Sequence, residues 1–239
     1  MRPDLEPRGP VTNRLLAALP KIEYRRLLPE LEEAALPFAE VIHEPGEAIR
    51  HVYFLNGAVV SLLAAVADRS TLEVGIVGSE GVAGISVFMG ADASPHRAVV
   101  QGAGTAMRMR ASALRKEAGR TGALHRLLHL YAHSLLTQVS RSAACNRFHA
   151  ADARLARWLL ITSDRLGRGE FRLTQDFISN MLGVRREGVN KAAGSLQKGE
   201  LIDYGRGRLR ILDRAGLEAV SCACYGIMKG ESDSHLSQN

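Results

Sequence analysis

The chain has 239 residues, of which 46% are hydrophobic and 23% charged. That balance excludes a disordered chain and leaves room for one large domain or two small ones. The net charge of +6 is compatible with a nucleic-acid partner without establishing one. Three cysteines, Cys145, Cys222 and Cys224, are too few, and odd in number, for a disulfide framework, so a reducing cytoplasm is the expected location. No apolar run follows the first charges as in a signal peptide, and no stretch approaches the ~18 apolar residues of a membrane span.

Residues 1–10 are rich in Pro and charge and are expected to fray. Residues 11–36 read as short helices, "NRLLAALP" and "EYRRLLPELEEAAL", punctuated by Pro20, Pro29 and Pro37. From 38 to about 110 short Val/Ile/Leu runs alternate with Gly-centred turns, as in "TLEVGIVGSEGVAGISVF". Strands at such short, regular intervals predict an antiparallel β-roll of jelly-roll type.

From 112 to about 148 the texture becomes helical. Leu124, Leu128, Tyr131 and Leu135 are spaced four, three, four, and the spacing continues through Gln138, Ser142 and Cys145. Such a heptad seam suits either a helix packed on its own roll or a two-stranded coil between subunits. The second reading is preferred and makes Leu124, Leu128, Tyr131 and Leu135 the dimer interface. A further helix is expected over 152–166, with Asp152 near its positive end.

The stretch "LTQDFISNMLGVRREGVNKAAGSLQKGELI", Leu173–Ile202, carries the clearest signal. Thr174 is placed as an N-cap, Gly183 as a tight turn, and a second helix runs from about Arg185 to Lys198. "LIDYGRGRLRIL" then reads as two strands around Gly205-Arg206-Gly207, a wing. Asp213 caps a last helix over 214–228. Between 185 and 214 eight basic residues face four acidic ones. In a helix-turn-helix the second helix enters the major groove and its first residues meet base edges. Arg pairs in bidentate fashion with guanine and Glu accepts from cytosine. The predicted DNA-binding residues are Thr174, Arg185, Arg186, Glu187, Asn190, Lys191, Arg206 and Arg208, with Arg210 a further phosphate contact on the wing. Gly188 and Gly194 inside this helix each cost roughly 1 kcal/mol relative to Ala.

The expected architecture is therefore α+β. Residues 1–115 form a β-roll sensor domain, 116–150 a dimerisation helix and hinge, and 151–239 a winged helix-turn-helix. "RLARWLL", "LTQDFISNMLGVRREGV" and "GRGRLRILDRAGLE", in this order after the roll and the long helix, resemble the Crp–Fnr transcription regulators over about residues 20–225. The resemblance implies a homodimer binding a two-fold symmetric operator, with double-stranded DNA, a second copy and RNA polymerase as partners and no membrane. It also implies half-site reading by Arg186, Glu187 and Lys191, the last standing where well-known members have Arg, so a bidentate fork is lost.

Cyclic-AMP-binding members carry Gly-Glu and then Arg-Ser or Arg-Thr in the roll. Here Gly84 and Arg97 match, but Ile85 and Ala98 replace the ribose-binding Glu and the phosphate-binding hydroxyl, which argues against a cyclic nucleotide. Gly84 and Arg97 remain effector-site candidates, with Arg97 left to bind another anion or to pair with an acid of the roll. An iron–sulfur cluster is not expected, because no Cys precedes Cys145.

His125, His129 and His133 fall at i, i+4, i+8, the spacing of a metal or pH sensor or of an ordinary helix stripe. Cys222-Ala223-Cys224 in the last helix suits redox or metal chemistry, or two ordinary partly buried thiols. No metal site is assigned. No P-loop, dinucleotide fingerprint or nucleophile elbow occurs, so an enzyme is not expected. The alternative is a ligand-, metal- or redox-responsive module whose winged helix docks a protein.

Overall fold

The structure, a computed structural model, describes residues 12–65 and 71–237; the expected fraying of 1–10 lies outside the described residues. Two compact units are present: one takes in Met1–Ser61, Val77–Ser134 and Ser232–Asn239, the other Leu62–Ile76 and Leu135–Glu231.

The first unit opens with helices α1 (Arg14–Ala17) and α2 (Lys21–Leu27). Asn13 caps α1 and is fully buried: its Oδ1 accepts from Leu16 N at 3.0 Å, and its Nδ2 donates to Leu55 O and Gly81 O at 3.1 and 2.9 Å. A cap that also satisfies two roll carbonyls welds this short helix to the sheet. The expected helix over the rest of this region is wrong. After a 3-10 turn at Leu28–Glu30 the chain becomes strand β1 (Leu31–Leu36). "LEEAAL" favours helix by propensity, but its backbone groups pair residue for residue with β8 (Gly104–Arg110), Leu31 opposite Met109 and Leu36 opposite Gly104. Tertiary pairing overrides local preference.

The β-roll is present as read. β3 (His51–Asn56) lies between β8 and β6 (Val82–Ala83), giving a sheet ordered β1-β8-β3-β6. β2 (Val41–His43) pairs with β7 (Arg97–Gly102), and Ser61, in β4 (Val59–Ala65), donates to Gln101 Oε1 at 2.7 Å. Val52, Phe54, Leu55, Val60, Val100 and Met109 are buried in the core of the roll.

The helical region after the roll is two helices, α3 (Ala111–Ala118) and α4 (Ala123–Phe148), separated at Gly119 to Gly122. Glu23 accepts from the backbone N–H groups of Ala123 and Leu124 at 3.0 and 3.1 Å and so satisfies the start of α4.

In the second unit the end of β4 and β5 (Thr71–Val77) supply the Leu62–Ile76 segment. Trp158 of α5 (Ala151–Leu166) donates from Nε1 to Glu73 Oε1 at 2.9 Å. α6 (Gln175–Leu182) and α7 (Arg186–Lys198) pack on α5, with Ile178, Met181 and Leu182 facing Val189, Ala192, Ala193 and Leu196 as buried surfaces. A strand missed in the sequence, β9 (Glu170–Arg172), pairs with β11 (Arg208–Ile211), which pairs with β10 (Ile202–Gly205).

The single last helix is also corrected. α8 (Arg214–Val220) ends before Ser221, and α9 (Cys224–Ser237) begins afresh. Asp213 caps α8 as expected, Oδ1 accepting from Gly216 N at 3.0 Å. A Cβ on Gly216 would crowd the Asp213 carboxylate and the Leu201 side chain, so glycine suits the cap. Arg214 donates to Asp164 Oδ1 at 2.6 Å and to Tyr225 Oη at 2.7 Å, tying α8 and α9 to α5.

Candidate nucleic-acid interface

The exposed side of the winged helix is built by caps and turns whose chemistry is local. Thr174 Oγ1 accepts from Phe177 N at 3.1 Å and starts α6. Gly183 ends it at φ +61°, a left-handed conformation that a side chain at this position would strain. Arg185 is the N-cap residue of α7 rather than its first residue. In the wing, Gly205 pairs with Arg208, so Arg206 and Gly207 form a two-residue loop, with φ +51° and +73°. Positive φ at both positions is the type I′ hairpin turn, and it pushes the Arg206 side chain into solvent.

The burial of Val189, Ala192, Ala193 and Leu196 turns the other face of α7 outward. Arg185, Arg186, Glu187, Asn190, Lys191 and Gly194 are all exposed. Thr174, Arg186, Asn190, Arg206 and Asp176 line one cleft between the start of α6, α7 and the wing. Gln197 of α7 donates to Tyr204 O at 3.0 Å, and Tyr204 Oη donates to Leu173 O at 3.3 Å, which fixes the wing to the helix pair. Burial pushes the Tyr204 hydroxyl pKa up, and the Asp176 charge adds to it, so this donor stays protonated.

Two features of this surface were not legible in the sequence. Asp176 accepts from both Nε and a terminal nitrogen of Arg186. β9 places Arg172 directly across from Arg208, so the wing face carries an extra basic residue. Arg210, in contrast, stands opposite Asp203 and Glu170, with its guanidinium 3.8 Å from Asp203 Oδ2. Its expected role as a phosphate contact is offset by these acids.

The residues expected to form a dimer seam are placed differently from the reading. Leu124, Leu128 and Tyr131 are 1%, 0% and 3% exposed within the single chain, and a Cβ on Gly81 would lie 2.2 Å from the Tyr131 ring. Leu135 is half-buried, with Cδ1 3.3 Å from the Cβ position of Gly75. Burial within the single chain leaves Leu124, Leu128 and Tyr131 little surface to offer a partner, while Leu135 keeps part of its surface open. A different row on α4 faces away from the chain: Leu136, Ser140, Ala143 and Arg147, also spaced four, three, four.

In the roll, Gly84 has φ +95° and precedes a 3-10 turn at Ile85–Val87. Ile85 and Ala98 are buried apolar residues, and Arg97 Nε stands 3.1 Å from Glu44 Oε1. Of the two fates expected for Arg97, pairing with an acid of the roll is the one observed. Position 85 thus offers no carboxylate and position 98 no hydroxyl, and the Arg97 guanidinium lies beside a carboxylate of the roll. The histidine stripe is likewise engaged: His125 and His129 pack edge-on to Phe88, at 5.5 and 4.7 Å between ring centres, and their Nδ1 atoms contact the carbonyls of Ala118 and His125. His133 is exposed and apart from that cluster.

Roll, long helix and winged helix-turn-helix together define the class: a two-part chain with an N-terminal β-roll and a helix pair built to present an exposed face. Residues 153–220 match the family described as the Crp-like helix-turn-helix domain. The fold is similar to that of FixK2 from Bradyrhizobium japonicum, with a TM-score of 0.68 and 20% identity over 81% of this chain and 98% of that one. A CRP-family transcriptional regulator from Thermus thermophilus gives 0.65 and 22%, covering 80% and 96%. The c-di-GMP responsive global regulator CLP of Xanthomonas campestris gives 0.64 and 17%, covering 81% and 100%. No curated protein matches the chain. The chain thus carries a Crp-like helix-turn-helix domain and, over most of its length, the fold of Crp/Fnr transcription regulators. Among the described residues no helix is long and apolar enough to cross a membrane.

Proposed function

We propose that the protein is a sequence-specific DNA-binding transcription regulator that acts as a homodimer on a two-fold symmetric operator. The observation that carries this reading is the exposed surface shared by α7 and the wing. Arg185, Arg186, Asn190, Lys191, Arg206 and Arg208 stand exposed on one side of a helix pair whose other side is buried. Arg186, Glu187, Asn190 and Lys191 supply base-edge chemistry, while Arg206, Arg208 and Arg172 suit phosphates. Thr174, at the start of α6, adds a hydroxyl at a helix N-terminus, where a phosphate is favoured.

The partner surface we assign is the row Leu136, Ser140, Ala143 and Arg147. Leu136 is 64% exposed and Phe148, next to Arg147 at the end of α4, is 75% exposed, and the small residues between them permit close helix approach. RNA polymerase is a further partner for a regulator of this kind. We assign no ligand to Gly84 and Arg97.

The test is a selection of genome fragments by purified protein at two salt concentrations. A two-fold symmetric motif with half-sites about one helical turn apart is expected. Affinity should fall steeply with salt. Selection of no preferred sequence, with and without cell extract, counts against the reading and favours a sensor module that docks a protein.

A further inference from the structure

Cys145, His149, Cys222 and Cys224 come from distant parts of the sequence and meet at one point of the second unit. Their ligand atoms all lie within 4.8 Å of one another. Cys145 and His149 are one turn apart near the end of α4, so both point to the same side. Cys222 lies in the break between α8 and α9, and Cys224 is the first residue of α9. The break in the helix lets both buried thiols reach the same spot.

The distances discriminate between chemistries. Cys145 Sγ lies 3.4 Å from Cys222 Sγ and 3.4 Å from His149 Nδ1, and Cys224 Sγ lies 3.8 Å from the same Nδ1. A disulfide needs ~2.05 Å between sulfurs, and all three cysteines are free. Tetrahedral zinc with bonds of ~2.3 Å to sulfur and ~2.0 Å to nitrogen sets its ligand atoms ~3.5–3.8 Å apart. Three of the cluster's six edges, at 3.4, 3.4 and 3.8 Å, are already near those values, and all six lie within 4.8 Å.

A second observation is independent of the ligands. Arg154 and Arg157 of α5 are each 7% exposed, and their Nε atoms have no hydrogen-bond partner. Arg154 donates from a terminal nitrogen to Leu182 O, and Arg157 donates to Met228 Sδ at 3.2 Å. Two buried cations held by a carbonyl and a thioether are poorly compensated. A divalent ion with three thiolates and a neutral imidazole carries one net negative charge and answers them.

We propose that Cys145, His149, Cys222 and Cys224 form a closed structural site for a zinc ion. Binding exchanges three thiol protons for the metal: Zn²⁺ adds to three Cys–SH and one neutral His Nδ1, and three protons leave to solvent with no change of oxidation state. Four protein ligands leave no open position, so the ion is structural rather than catalytic. It staples the end of α4 to the α8–α9 junction, on the same α5 that carries the helix-turn-helix.

The test uses full-length protein with a tag free of histidine, purified under reducing conditions from zinc-supplemented cells. Elemental analysis should give about one zinc per chain, and cobalt substitution should give the visible spectrum of a tetrahedral sulfur-rich site. His149→Cys should keep the metal, whereas His149→Ala and the double variant Cys222→Ser/Cys224→Ser should lose it. If those variants fail to fold, mercurial titration of the wild-type chain should still release zinc as the thiols react. Less than about a tenth of an equivalent of zinc per chain, without a cobalt spectrum, would overturn the proposal. A Cys145–Cys222 disulfide in freshly reduced protein, or stoichiometric iron in place of zinc, would overturn it too. None of these readouts involves DNA, so the outcome is separable from that of the regulator reading.

Discussion

Asp176, in the first turn of α6, holds the guanidinium of Arg186 at the start of α7 through two parallel hydrogen bonds. Both side chains are more than half exposed, so the pair adds little to stability, about 0–1 kcal/mol. Its effect is on orientation: it aims a bidentate donor and places a negative charge where a phosphate backbone would approach. Asp176→Asn should raise affinity for scrambled DNA while reducing the preference for the operator. Fluorescence anisotropy with operator and scrambled duplexes checks this, and an unchanged ratio of affinities would count against an orienting role.

The wing arginines should separate. Arg208→Ala removes a cation that neighbours Arg172, so affinity should fall uniformly across sequences and the salt slope should drop by about 1. Arg210→Ala should change the slope much less, because Asp203 and Glu170 already offset its charge. Equal slopes for the two variants would show that the acids across the strand do not screen Arg210.

The two faces of α4 give opposite phenotypes. Leu128 is fully buried, and Leu128→Ala should cost about 2–5 kcal/mol of chain stability, read by urea unfolding. Leu136 is 64% exposed, and Leu136→Glu should leave the fold intact but shift the protein to monomer in sedimentation velocity. A dimer that survives Leu136→Glu would remove that row from the interface.

A Cβ on Gly194 would meet nothing within 4 Å. Gly194→Ala should therefore stabilise α7 by about 0.5–1 kcal/mol, seen as a higher urea midpoint. The position shares its exposed face with Glu187, Asn190 and Lys191. A loss of operator affinity in the more stable variant would identify close approach of DNA as the reason for the glycine.

Trp158, the single tryptophan, is 2% exposed and donates to Glu73. Glu73→Ala leaves the indole N–H without that acceptor and should cost about 1–3 kcal/mol. The fluorescence of Trp158 reports the change directly: its emission should shift in Glu73→Ala and not in a control such as Lys198→Ala on the far side of α7.

What the sequence determined by itself is whatever depends on neighbours along the chain. The Thr174 cap, the Gly183 turn, the buried face of α7, the type I′ loop and the Asp213 cap each follow from residues within a few positions. So does the alternation of short apolar runs and glycines that becomes the roll. Tertiary structure decided what depends on residues far apart. "LEEAAL" became β1 because β8, about seventy residues on, offered an open edge. Leu124, Leu128 and Tyr131 of α4 are buried within the single chain, and a heptad pattern states a face without stating what covers it. Arg210 met Asp203 and Glu170 only through strand register, one of them on a strand too short to announce itself. Cys145 and His149 met Cys222 and Cys224 across more than seventy residues. Ligand spacing becomes visible only once folding has closed that loop, because a metal site is defined by distances in space and the chain states only distances along itself.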